Sequence, residues 1–298
     1  MNKRIRSLLL ALLAVSSFCA CRPHPPTEEE PTRALTDAAE SEPCSAEQTQ
    51  SDYVISTEWM TFCFSKKEFT ESEAADIAAE AVFVMADVRN YLKVNYTSEE
   101  AQETVCYFDR TYRNKEGRAI SMCYWTEKRM HCISLSDFVH EYVHMISENN
   151  EDLVYHPSKI FSEGLAQYVS LHFFDGIATR AYTHFTEAPV STNSEEHQRV
   201  CKLLSKNGLA YTTENYNKAF VAILDKQYDV SKIDKDSDFY NYIIGQVFVD
   251  YCIRQLGGLE KFISVYCDCV TVSDVYGKSV DDLVLEACAY NTAAFYGD

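Results

Sequence analysis

The stretch DFVHEYVHMISENN, residues 137–150, constrains this chain of 298 residues more than any other stretch. His140 and His144 are four residues apart, so a helix places both imidazoles on one face, where they can bind one metal ion. Glu141 lies about 100° around such a helix from His140, within reach of a metal-bound water but poorly placed as a ligand. Apolar residues on both sides of this polar face predict a buried helix that lines a cleft.

The spacing of the two histidines does not by itself establish a metal site, because a histidine pair held by hydrogen bonds would show the same pattern. A metal site needs a further ligand. Catalytic zinc has three protein ligands and a water. Residues 161–168 (FSEGLAQY) supply Glu163 on a predicted helix, with eighteen residues between it and His144. Gly164 lacks a side chain and would let this helix approach the first one closely.

The order H-E-x-x-H, eighteen residues, then E-G-x-A resembles the gluzincin metallopeptidases, in particular the aminopeptidase-N-like branch and its smaller bacterial relatives. The matching residues are His140, Glu141, His144, Glu163, Gly164 and Ala166. The resemblance implies a zinc ion (Zn²⁺) bound by His140, His144 and Glu163, with Glu141 as the general base.

A second stretch, residues 240–262, contains Tyr242-x-x-Gly245 on a predicted helix. Gluzincins of this branch carry a similar tyrosine that assists the transition state, which makes Tyr242 a candidate catalytic residue. Tyr240 is the alternative, and a packing role in the core is open for both. No G-x-M-E-N loop, which binds the substrate amine in the aminopeptidases, occurs in residues 95–139, so we expect an endopeptidase.

Hydrophobic periodicity and the resemblance predict an α+β fold, with a zincin-like mixed sheet and active-site helix followed by a mainly helical C-terminal lobe. A helix is expected at 71–93, and strands around 104–108, 119–125 and 131–135. The last strand is predicted to lie at an edge, where an extended substrate could pair with it. The predicted organisation is a signal peptide (1–20), a disordered, acidic, proline-rich tether (21–52), a metal-binding lobe (53–180) and a helical lobe (181–298).

The first twenty residues read as an export signal, with Lys3, Arg4 and Arg6 before a short apolar run. Ala20 and Cys21 resemble a bacterial lipobox, so a lipid on Cys21 would anchor an exported protein at the cell surface or in the periplasm. Cleavage without lipidation would release a secreted protein. A membrane contact through this lipid anchor only is expected.

Charge and cysteine content narrow the partners further. The net charge is −18, and it becomes −21 once the signal is removed, so electrostatic repulsion argues against nucleic acid as a partner. Ten of the twelve cysteines lie beyond Cys21, and an even number in an exported chain favours disulfide bonds.

These features predict an exported, lipid-anchored zinc metallopeptidase whose partner is a peptide or protein substrate. Two alternatives stay open at this level. One is a surface-binding lipoprotein that retains the fold without turnover. The other is a zinc hydrolase that acts on an amide or ester outside peptides.

Overall fold

The computed structural model describes residues 52–94, 103–113, 120–149, 158–174, 195–267 and 272–297. The predicted signal peptide, the lipid site at Cys21 and nearly all of the tether lie outside these residues. The described residues belong to one compact unit. Within them, no helix combines the length and the apolar character needed to cross a membrane.

A five-stranded mixed sheet occupies the N-terminal part. Its strands are β1 (Asp52–Ser56), β2 (Thr61–Ser65), β3 (Val105–Phe108), β4 (Met122–Tyr124) and β5 (Arg129–Cys132). The order is β1-β2-β3-β5-β4, in which β2, β3 and β5 are parallel and the two outer strands are antiparallel to their neighbours. Side chains alternate between the two faces of a strand, so the second and fourth residues of both β3 and β5 point into the core.

The predicted position of β5 at the sheet edge is wrong. This strand lies between β3 and β4, and β4 is the outermost strand on that side of the described sheet. The reason is a tight connection: one turn of 3₁₀ helix, Trp125–Glu127, ends at Lys128, whose φ of 47° reverses the chain. The resulting hairpin folds β4 onto the side of β5 that would otherwise be open.

Helices make up most of the remainder. They are α1 (Glu71–Leu92), α2 (Leu135–Asn149), α3 (Lys159–Phe173), α4 (Glu195–Lys206), α5 (Thr213–Gln227), α6 (Gly245–Gln255), α7 (Gly258–Cys267), α8 (Val272–Tyr276) and α9 (Val280–Tyr296). A π-helical segment, Phe239–Ile244, leads directly into α6. The predicted mixed sheet with a helical C-terminal region is therefore confirmed, and α1 matches its predicted span.

One continuous hydrophobic core joins the sheet to the helices that follow it. It contains Phe62 and Phe108 from the sheet, Phe138 from α2, Phe161 from α3 and Phe248 from α6. A smaller core lies among α4, α5 and α9. Because α6 and α9 share the main core with the sheet, the position of the C-terminal helices is fixed relative to α2 and α3.

Several cysteines in the described part of the chain are packing residues. Cys106, Cys132, Cys252 and Cys288 are buried, Cys201 is partly exposed, and all five are free thiols. The expectation of disulfide bonds is wrong for these five residues. Buried cysteine behaves as a small apolar side chain, and even the neighbouring Sγ atoms of Cys106 and Cys132 are 3.7 Å apart.

Alkylation of the folded protein should therefore label Cys201 before the four buried thiols. Thiolates are the reactive form, and burial raises the pKa of Cys252 and Cys288 to about 12. Peptide mass mapping after iodoacetamide treatment, with and without denaturant, measures the order. Equal labelling rates in the native protein, or a mass deficit that shows a disulfide at these positions, would contradict the structure.

Candidate metal centre

Helix α2 carries the two histidines and begins earlier than the sequence pattern suggests. The Ser134 hydroxyl donates to the Asp137 carboxylate at 2.8 Å and accepts from the Asp137 backbone N–H at 3.2 Å. This reciprocal cap satisfies N–H groups that have no partner within the helix. The helix then packs between α1, α3 and the strands β4 and β5, which buries the polar face together with its apolar neighbours.

Three ligand atoms converge where α2 meets α3. The Nε2 atoms of His140 and His144 are 3.1 Å apart, and the Glu163 Oε2 atom lies 3.2 Å from the first and 3.1 Å from the second. Both imidazoles are buried, and the Glu163 side chain is 17% exposed. The sequence prediction that these three residues lie together is thus matched by their geometry.

The spacing of these atoms suits a tetrahedral cation. Zinc ligands lie about 2.0–2.1 Å from the ion, so neighbouring corners of a tetrahedron are about 3.3 Å apart. The observed triangle has sides of 3.1, 3.1 and 3.2 Å. Lone pairs of two imidazoles and a carboxylate that meet this closely repel one another unless a proton or a cation lies between them, and the nitrogen-rich donor set suits zinc.

The protonation of the three groups also favours metal binding. Burial lowers the pKa of His140, which leaves a neutral imidazole with a lone pair to donate. Burial alone would raise the pKa of Glu163, but the charge of His144 and hydrogen bonds from both imidazoles hold it well below its ordinary value. The site therefore presents a neutral His140 imidazole and an ionised Glu163 carboxylate, which are the forms that bind a metal ion.

Glu141 lies beside the triad without joining it. The residue is buried, and burial raises the pKa of its carboxyl to about 8, with the charge of Glu163 adding to the rise. The backbone N–H of Cys123 on β4 donates a hydrogen bond to this carboxylate and opposes the shift. Sequence reasoning missed the contact with Cys123, because it depends on the hairpin that brings β4 against α2.

Tyr242 reaches the same site from the π-helical segment. Its ring stacks on the His140 imidazole, with the centroids 5.4 Å apart and the planes 10° apart. Burial raises the pKa of its phenol well above the ordinary value, and the negative charges of Glu163 and Glu141 add to the rise. Tyr240 instead lines a small cavity with Lys235 and Asp281. Of the two tyrosines, only Tyr242 is placed at the triad.

Other histidines in the described residues lie outside the triad. His131 stacks between Tyr107 and Tyr112, and His172 stacks on Tyr91, so neither joins the triad. Across the described parts of the chain, His140, His144 and Glu163 form the single cluster of three such side chains able to hold a metal ion. His156 and His184 lie outside the described residues.

The expected partner of Gly164 requires a correction. The close approach at this glycine is to Gly245 of α6, rather than to α2 as predicted. Sequence order places Gly164 and α2 next to each other, whereas Gly245 is 81 positions away.

A comparison of the chain with family models, with curated proteins and with solved structures gives no match. The interpretation of the site therefore rests on the residues and distances described above. Those distances support a centre that could hold one metal ion.

Purified protein should bind about one zinc ion per chain, because the three donors complete a catalytic-type site. His140→Ala, His144→Ala and Glu163→Ala should each lower the zinc content strongly. His172→Ala is the matched control, since this exposed histidine lies outside the triad and its loss should leave zinc binding unchanged. Metal analysis after zinc-replete preparation and gel filtration gives the measurement. A wild-type content far below one equivalent would reject the site.

Proposed function

We propose that this protein is an exported, zinc-dependent hydrolase with a gluzincin-like, and hence zincin-like, active site that cleaves peptide bonds within peptides or proteins. The observation that supports this best is the convergence of His140, His144 and Glu163, with Glu141 and Tyr242 directly beside them. A structural metal site would not need a buried carboxylate and a phenol that do not serve as ligands. Catalytic zinc sites keep one position open for water or substrate.

Glu141 is the group that would move protons. Bound zinc would lower the pKa of a water in the open position and polarise the substrate carbonyl. Glu141 would accept the proton from the attacking water and pass it to the leaving amine. Positive charge at the three ligands would lower the pKa of Glu141 from about 8, because an opposite charge favours the carboxylate.

Tyr242 supplies a donor for the oxyanion that forms as the carbonyl is attacked. Its raised pKa keeps the phenol protonated at neutral pH, so the hydroxyl retains a proton to donate. Stacking on His140 holds the ring in place before substrate arrives. A donor fixed in advance stabilises a developing negative charge without a reorganisation cost.

Strand β4 offers a place for the substrate backbone. In the described sheet it pairs with β5 on one side, and the other side is an edge. The contact between Cys123 and Glu141 places this edge beside the proposed base. An extended peptide added to such an edge gains main-chain hydrogen bonds, and this binding mode needs no free amino terminus, which favours internal cleavage.

Substrate turnover is favoured over a silent binding role by the chemistry of Glu141. A carboxyl group that is buried without a salt bridge lowers stability. A catalytic role beside the triad explains why such a group is present at this position. The same groups could hydrolyse an amide or ester outside peptides, so the substrate class is best tested with a peptide library.

Glu141→Gln should keep the fold and the zinc but lose about a hundredfold to ten-thousandfold in turnover, since an amide cannot accept the proton of water. Digestion of a peptide library, read by mass spectrometry, measures activity and cleavage preference together. Glu260→Gln changes an exposed glutamate and serves as the control. Turnover at the wild-type rate in Glu141→Gln would remove Glu141 from the mechanism, whatever the metal content of the variant.

Tyr242→Phe should reduce kcat by about a hundredfold, because one oxyanion donor is lost. KM should change less, and the zinc content should stay near one equivalent. Tyr240→Phe is the matched control from the same segment and should turn over normally. If instead Tyr240→Phe is crippled and Tyr242→Phe is active, the assignment of the donor is reversed.

A further inference from the structure

Helices α3 and α6 touch backbone to backbone at two glycines. A Cβ atom added to Gly164 would lie 2.8 Å from the carbonyl oxygen of Gly245 and 3.1 Å from its Cα. A Cβ atom added to Gly245 would lie 3.0 Å from the carbonyl oxygen of Ile160 and 3.1 Å from the Cα of Gly164. The neighbouring atoms are main chain, so they cannot move aside as the end of a flexible side chain could.

These glycines are not needed for unusual backbone angles. Gly245 has a φ of −56° and a ψ of −45°, which every residue adopts in a helix. Gly164 lies within α3 and has no positive φ. Glycine inside a helix is less favourable than alanine, so two helical glycines in contact indicate that the absence of a side chain is the property that matters.

The crossing lies at the centre of the proposed active site. Gly164 directly follows the ligand Glu163, and Gly245 comes three residues after Tyr242. Tyr242 stacks on the His140 imidazole beside Glu163, so the contact of the two glycines fixes how α3, which carries Glu163, lies against the segment that carries Tyr242. The backbone N–H of Gly245 donates to the carbonyl of Tyr240, which links the register of the π-helical segment to the crossing.

We propose that Gly164 and Gly245 are positioning residues, which hold the Tyr242 side chain beside the His140–His144–Glu163 triad by bringing α3 and α6 into main-chain contact. The expected effect of the two glycines on turnover rests on the proposed function, whereas their expected effect on metal binding does not. Neighbouring aromatic side chains support the fixed geometry, because Phe161 of α3 packs edge-to-face on Phe248 of α6 with their centroids 5.1 Å apart.

Gly164→Ala and Gly245→Ala should each separate the helices and shift both the ligand and the hydroxyl. We expect zinc affinity to fall about tenfold or more, as it does when groups that orient metal ligands are disturbed. Competition against a chromophoric chelator measures this without any substrate. At saturating zinc, kcat should fall about tenfold or more, with KM changed less.

Two comparisons separate positioning from general destabilisation. Ala219→Gly weakens α5 in the smaller core, outside the Gly164–Gly245 contact, and should lower the melting temperature with zinc affinity and kcat unchanged. In a Tyr242→Phe background, Gly164→Ala should cost little further kcat, because the hydroxyl that it displaces is already absent. Additive losses in that double-mutant cycle would overturn the positioning role.

The remaining outcomes also discriminate. Wild-type zinc affinity and turnover in both alanine variants would reject the proposal. Absence of hydrolysis in the wild type would reject the proposed function, while the zinc affinities would still test the crossing. Should neither alanine variant fold, Phe248→Leu loosens the same interface and should lower kcat in the wild-type background but not in Tyr242→Phe. An unchanged kcat in Phe248→Leu would then reject the proposal.

Discussion

The burial of three polar side chains, His140, His144 and Glu163, at the junction of α2 and α3 is the constraint on which the rest of the structure depends. Withdrawing a carboxylate and two imidazoles from water is unfavourable unless their lone pairs and charge are matched. The apolar residues on both sides of the polar face of α2 make the burial possible, because they anchor the helix in the main core. Positive charge among the ligands would then relieve the repulsion that this packing creates.

The C-terminal part of the chain contributes a side chain, Tyr242, to the site formed by α2 and α3. Tyr242 stacks on His140 although about a hundred residues separate them in the chain, and α6 reaches α3 through the same core that holds the sheet. A π-helical segment supplies the tyrosine. Such segments disturb the regular helical hydrogen-bond ladder and occur often at functional sites, so the local irregularity coincides with the residue that the proposed chemistry needs.

Sequence patterns predicted the features that depend on short-range geometry. The spacing of His140 and His144 defines a helix face, and the hydrophobic periodicity of α1 defines its span. Features that depend on contacts between residues far apart in the chain could not be predicted from these patterns. The hairpin that moves β5 away from the edge, the partner of Gly164 and the packing role of the cysteines are all decided by tertiary contacts, which no local pattern encodes. Tyr242 could be preferred over Tyr240 only through the family resemblance.

The hairpin of β4 and β5 has a consequence for the molecules that this protein would process. An edge strand accepts a partner only in the extended conformation, with its main-chain groups unoccupied. A helix or an internal strand of a folded protein meets neither condition, because its amides are already engaged. Under the proposed function, folded proteins would therefore be resistant, and scission would be confined to loops, termini and unfolded chains. Selectivity of this kind would arise from the conformational state of the target before any side chain is recognised.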